Sequence, residues 1–224
     1  MRRVALSLAA IGTLGASTAA RASTDAQLWA GVSATVKLSA KWRLSQDAFV
    51  RFSDNRNGLY EFESNTLVGF RLSKVTTLWA GYTHDPQYAA GHFTTMERRA
   101  REQVTFDNFA ALGPGKLSGR IRFEERWREG VGGTGWRIRP YLKYSLPLRG
   151  KVALNLSTEP FFDLNTTGFQ RTPGLDRVRN LATVSVPLSK RLTGEAGYMN
   201  QHGFVRGAPD TSDNIAYFAL NFSG

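Results

Sequence analysis

Residues 120–127 read RIRFEERW, and few folds can accommodate that order. Ile121, Phe123 and Trp127 fall on one phase of a two-residue repeat, with Glu125 as the one misfit. Arg120, Arg122, Glu124 and Arg126 fall on the other. Side chains alternate faces along a β-strand, so a period of two separates an apolar face from a charged one. Residues 101–109 can pair with this run across the turn Gly113-Pro114-Gly115, completing a hairpin within 97–127. Such a hairpin needs two unlike surroundings. A bilayer outside a closed sheet and a polar lumen inside it supply both.

The N-terminus reads as an export signal. Arg2 and Arg3 give a positive start, residues 4–16 are apolar and rich in Ala and Leu, and Ala20-Arg21-Ala22 puts small residues where a signal peptidase reads. That stretch is shorter than the roughly 20 apolar residues of a spanning helix. The expected division is a signal peptide at 1–22 and a single barrel domain at 23–224. Beyond the leader no stretch reads as a membrane helix. There is no cysteine either, so the exported domain holds together without disulfides. Loss of Arg2, Arg3 and Arg21 lowers the formal charge from +11 to about +8. In an exported chain, that excess suits an anionic surface such as lipopolysaccharide phosphates, and nothing resembles a nucleic-acid-binding motif.

Strand-like runs follow one another at 27–38, 42–52, 60–72 and 76–84, then in the two arms of the 97–127 hairpin. They continue at 136–146, 152–164, 177–188, 192–201 and 214–222, roughly eleven in all. Short turns follow the odd-numbered runs. Longer polar loops, at 53–58, 85–96, 130–135, 165–174 and 202–213, follow the even ones. Alternating strands of this length with turns at one rim and loops at the other predict an all-β fold. The form expected is an antiparallel, up-and-down transmembrane β-barrel of 10–12 strands in the outer membrane. Trp42, Tyr60, Trp127, Trp136 and Tyr144 lie near run ends, where interfacial girdles form. A soluble sandwich or lipocalin-like barrel would show the same alternation with its apolar phase inside. The leader, the loop asymmetry and the last run, with Phe218, Leu220 and Phe222 on one phase, favour the membrane. Bacterial single-chain barrels have even strand counts, so ten or twelve strands are expected.

Several segments in order carry a family resemblance: MERRAREQVTF at 96–106, RIRFEERWRE at 120–129, GWRIRPYLKYSLPL at 135–148, EPFFDLN at 159–165 and EAGYMNQ at 195–201. Together they resemble a family of bacterial outer-membrane proteins, domain of unknown function family 2490. The resemblance implies an outer-membrane β-barrel and supplies no activity, so no catalytic residue is carried over.

The inward phase gathers Arg99, Arg120, Arg122, Glu124, Arg126, Arg137, Arg139, Lys143, Glu159, Asp163, Arg177, Arg179 and Glu195. Guanidinium groups bind carboxylates bidentately, so neighbouring strands can build an Arg–Glu ladder that fills a narrow lumen. The expected role is structural, or porin-like passage of a small anionic solute through the surplus of Arg. The chain is expected to be a monomer whose partners are outer-membrane lipid, lipopolysaccharide and, during insertion, the barrel-assembly machinery. No cofactor or metal is expected: the histidines are widely spaced, and Asp210, Asp213 and Asn214 make only a weak oxygen cluster. GVGGTG at 130–135 lacks the Lys-Ser/Thr ending of a phosphate loop. No enzyme is expected. The alternative is a lipid or lipopolysaccharide hydrolase built on a loop histidine among His84, His92 and His202, the last sharing its loop with Ser212.

Overall fold

A computed structural model describes residues 23–224, so the expected signal peptide at 1–22 lies outside the described residues. The described residues form eleven strands: β1 (Ser23–Lys37), β2 (Trp42–Ser53), β3 (Gly58–Arg71), β4 (Thr76–Ala89), β5 (His92–Leu112), β6 (Gly115–Arg128), β7 (Val131–Pro147), β8 (Ala153–Asp163), β9 (Gly174–Pro187), β10 (Leu192–Gly203) and β11 (Thr211–Ser223). Each strand pairs with its sequence neighbours, and β1 pairs with β11 to close a barrel. The expected all-antiparallel, even-stranded barrel is corrected at this seam. The β1–β11 pairing is parallel, from Ser23 opposite Thr211 to Thr35 opposite Ser223. An odd count forces this, because the first and last strands then run in the same direction.

A second correction concerns the loops. Residues 85–96 and 130–135, read as long loops, are mostly strand: β4 runs to Ala89, β5 starts at His92, and β7 starts at Val131. Tight turns at 90–91 and 129–130 join them, leaving 164–173 and 204–210 as the longest connections. These lie at the rim where β1 begins, called here the loop rim. The turns after β1, β3, β5, β7 and β9 lie at the opposite turn rim, where β11 ends.

Register fixes the faces. Trp29 pairs with Arg51 and Arg51 with Glu61; Arg101 pairs with Glu124, Glu124 with Arg137, and Glu159 with Arg179, so these side chains share the inner face. The other phase is apolar and points outward, with Val32, Val68, Leu78, Ile121, Leu142, Leu156, Val184 and Phe218 all exposed. Starting from the turn rim, outward polar groups first recur eight residues up on β4, β10 and β11, at His84, Asn200 and Asn214. On β5 and β6 they recur ten residues up, at Glu102 and Glu125. At about 3.3 Å per residue and a tilt of about 40°, the apolar band is roughly 20–25 Å tall. Gln46, Ser64 and Thr66 interrupt it on β2 and β3, and they bond one another: the Gln46 amide donates to Ser64 Oγ at 2.9 Å and Thr66 donates to Gln46.

Inside, the strands divide the work. β1, β9, β10 and β11 supply an apolar wall of Trp29, Met199 and Ile215, with Leu181 and Tyr217 against it. The charged groups come chiefly from β2, β3 and the strands β5 to β9.

Candidate functional site

Eight side chains form a closed circuit across the lumen. Glu63 Oε2 accepts from Arg51 Nη2 at 3.0 Å, and the Arg51 guanidinium lies 4.2 Å from the ring centre of Trp29. Arg179 lies 4.6 Å from the centre of the same ring and 4.6 Å from that of Phe161. Arg139 packs 4.1 Å from Phe161 and donates to Glu124 Oε1 at 2.8 Å. The same oxygen accepts from Arg101 Nε at 3.0 Å, and Arg101 Nη2 returns to Glu63 Oε1 at 3.1 Å. Ion pairs thus close the circuit on the charged side and cation–π contacts close it on the apolar side.

Branches extend it toward both rims. Glu97 accepts from Arg99 Nε at 2.7 Å, Arg126 Nε at 2.9 Å and Arg128 Nη2 at 2.7 Å, while Arg99 also bonds Asp85. Arg139 Nη2 donates to Glu159 Oε2 at 3.0 Å, and Arg120 bonds its other oxygen. Arg137 donates to Asp163 at 2.6 Å, and Arg177 to Asp176 at 2.6 Å. The 164–173 connection folds onto this network: Gln170, 2% exposed, accepts from Arg126 Nη1 at 3.0 Å and donates to the Trp136 and Asn165 carbonyls. Phe169 lies under Arg126 and Arg128, 5.3 and 5.0 Å away.

Of the thirteen residues expected to line the lumen, Arg99, Arg120, Arg122, Glu124, Arg126, Arg137, Arg139, Glu159, Asp163, Arg177 and Arg179 belong to this network or touch it. Lys143 and Glu195 lie nearer the turn rim and form no ion pair among the described residues; Glu195 accepts instead from Thr183 and, at 3.3 Å, from Asn221. Sequence reasoning left out Arg51, Glu61, Glu63, Asp85, Glu97 and Arg101. The signal was available, since Glu97 and Arg101 share the parity of Arg99. The roles of Trp29 and Phe161 carry no such signal, because an aromatic on a polar phase reads as a misfit.

The circuit separates two cavities. One, about 350 Å³, opens toward the loop rim between Arg56, Arg177 and Arg179 and the carboxylates Asp25, Glu61, Asp176 and Asp213. The other, about 280 Å³, lies on the turn side; Arg51, Arg120, Arg122, Arg139 and Arg179 line it against Asp47, Glu63 and Glu159. Arg179 is common to both walls. Carboxylates therefore outnumber cations in the loop-side cavity, and cations outnumber carboxylates in the turn-side one. Arg122 and Arg179 are the least compensated cations there. Arg122 donates to Gln103 at 2.8 Å with a Glu124 carboxylate oxygen 3.9 Å away, and Arg179 donates to Gln201 at 2.7 Å and forms no ion pair among the described residues.

Glu61, Glu63 and Asp85 bring oxygens within 4.8 Å of one another, a spacing a cation could use. Arg51 and Arg99 already occupy that space, pairing with all three, so the charge a metal would neutralise is spent. The weak cluster expected at 210–214 disperses: Asp213 accepts from Gln201 at 2.7 Å, Asn214 from Tyr198 at 2.6 Å, and Asp210 faces His202.

The chain belongs to the family described as Protein of unknown function (DUF2490), which it matches over residues 26–212. An uncharacterized protein of Methylorubrum extorquens is 28% identical over 165 residues, 71% of this chain and 72% of that protein. Among solved structures, an anion-selective porin from Comamonas acidovorans superposes with a TM-score of 0.37 and 13% identity, over 79% of this chain. The chain spans about half of that porin's length, 55%.

Proposed function

We propose that the protein is an integral outer-membrane β-barrel, exported by its 1–22 leader, whose lumen is held shut by the Arg–Glu–aromatic circuit. Its turn-side cavity is a chamber receptive to small anions. The membrane placement is supported by the outward apolar band, whose height of roughly 20–25 Å matches the band of outer-membrane barrels. The observation that carries the lumen reading is the closed circuit, which places a cavity on either side of one layer of buried side chains. Passage of an anionic solute requires that layer to part, so the resting role is structural. Planar-bilayer recording tests this. The wild type is expected to be electrically silent, and Trp29→Ala with Phe161→Ala, once shown to fold by heat-modifiable gel mobility, to open anion-preferring steps. Steady conductance by the wild type would overturn the seal.

A second reading, ester hydrolysis at the loop rim, has one observation in its favour. His202 on β10 lies opposite Ser212 on β11, both outward, and His202 Nε2 is 3.1 Å from Asp210 Oδ2. Against it, Ser212 Oγ accepts from Asn200 at 3.0 Å, and the histidine is 36% exposed, which positions a base poorly. His84 fares worse: its cross-strand neighbour Ser64 is engaged by Gln46, and Asp85 points into the lumen. Fatty-acid release from purified lipopolysaccharide by the wild type and by His202→Ala decides. Equal background activity removes the enzyme.

A further inference from the structure

The turns at the turn rim repeat one design. Leu38-Ser39-Ala40-Lys41, Leu72-Ser73-Lys74-Val75 and Leu188-Ser189-Lys190-Arg191 are the same turn three times. In each, the Leu N–H donates to the carbonyl four residues on (2.9, 3.0 and 2.8 Å), and the Ser hydroxyl accepts from the backbone N–H groups two and three residues after it. Leu148-Arg149-Gly150-Lys151 closes the same way at 2.9 Å without the serine. In the fifth turn Leu112 and Lys116 flank Gly113-Pro114-Gly115.

Turn closure uses the backbone and the serine. It does not explain why every turn opens with a leucine and carries a lysine. The five leucines Leu38, Leu72, Leu112, Leu148 and Leu188 are 55–60% exposed and form a regular apolar ring. Beyond them come Lys41, Lys74, Lys116, Arg149, Lys151 and the pair Lys190 and Arg191, all exposed and none in an ion pair among the described residues. These turns hold no acidic side chain, whereas the loop-rim connections balance Arg56, Arg171 and Arg206 against Asp54, Glu129 and Asp210. All seven lysines of the chain lie on the turn-rim side, the deepest being Lys143, four residues inside the end of β7. The order along the outer wall is thus apolar band, leucine ring, cation ring.

We infer that this collar seats the barrel on anionic glycerophospholipid headgroups, its leucines at the acyl boundary and its lysines on the phosphates. This rests on the membrane-spanning reading above. Phospholipid, rather than lipid A, is the partner because short turns face the periplasm in such barrels and the two longest connections lie at the other rim.

The test uses the whole mature barrel in neutral phosphatidylcholine bilayers, with insertion read by heat-modifiable mobility and protease protection. Inserted protein is then offered an equimolar mixture of phosphatidylglycerol and phosphatidylcholine, and retained lipid is counted by native mass spectrometry. The wild type should retain phosphatidylglycerol at least about five-fold over phosphatidylcholine, less so in high salt. The variant Lys41→Gln, Lys74→Gln, Lys116→Gln, Lys151→Gln, Lys190→Gln should insert equally and retain the two lipids alike. Inserted wild type without preference overturns the collar and leaves the membrane reading standing. So does a preference that survives in the variant, and a ring that only steers small anions to the lumen would give that first result. Tighter retention of lipid A than of phosphatidylglycerol overturns the assignment of the partner. Failure of the wild type to insert removes the membrane reading and the collar with it.

Discussion

Glu124 and Glu102 lie on paired strands of one hairpin and face opposite worlds. Glu124 is fully buried between Arg101 and Arg139, whereas Glu102 is outward and exposed at the edge of the apolar band. Removing this shared carboxylate leaves Arg101 only Glu63 and Arg139 only Glu159, in a buried cluster where cations already outnumber carboxylates. Glu124→Gln should therefore cost about 3–5 kcal/mol, read as a lower urea midpoint for loss of the heat-modifiable form. Glu102→Gln should stay within about 0.5 kcal/mol of the wild type. Similar midpoints for the two variants would contradict the assigned faces. Parity in the sequence is enough to separate Glu124 from Glu125, because a strand sends neighbours to opposite sides. It also explains the Glu125 misfit, which sits ten residues above the start of β6, where the apolar band ends. Parity does not choose partners: Glu63 bonds Arg99 and Arg101, 36 and 38 residues away, through a register that only the closed sheet defines.

At the level of elements, the eleven runs were legible because each keeps its two-residue period, and the turn-rim hairpins fall where short polar turns were read. The loop rim was misread for a backbone reason. Pro86, Gly91 and His92 suggested a long loop, yet Ala90 and Gly91 adopt φ of 48° and 78°, the left-handed pair of a two-residue hairpin turn. Alanine rarely takes that conformation, so the residue itself gave no warning. The 204–210 connection is held differently. Asp210 Oδ1 accepts the Val205 N–H at 3.0 Å while its other oxygen meets His202. These bonds, the Val205 N–H foremost, favour the carboxylate and hold the Asp210 pKa below its usual value. A depressed carboxylate pKa contributes order above the unfolded value, near pH 4, and loses it as pH falls through the lower folded value. The Val205 amide resonance should accordingly titrate with a midpoint below about 3.9, and Asp210→Asn should abolish the transition. A midpoint at or above the ordinary aspartate value would mean that this strap does not hold the loop in solution.

For the molecule as a whole, the parallel seam is the feature the local pattern could least supply. Alternation says which residues face out, and tight turns say which strands are neighbours, but neither says how the ends meet. With eleven strands the first and last run the same way, so Ala30 stands opposite Phe218 and Val32 opposite Leu220 on the outer face. The seam lines an outward groove whose walls are small near the middle, with Ala30, Ala48, Ala196 and Gly194 among them. Facing Cα atoms in paired strands lie within the span a disulfide bridges. Because the chain has no cysteine, a designed pair reports without background. Ala30→Cys with Phe218→Cys should crosslink rapidly in the folded barrel and turn it into a covalent ring that migrates anomalously even after boiling. Ala30→Cys with Phe222→Cys, two strand repeats off register, should not. A crosslink in the second variant but not the first would show a shifted seam. A crosslink in neither would mean that β1 and β11 do not close the barrel in this register, and that the circuit linking Trp29 to Arg179 must be closed by another arrangement of the ends.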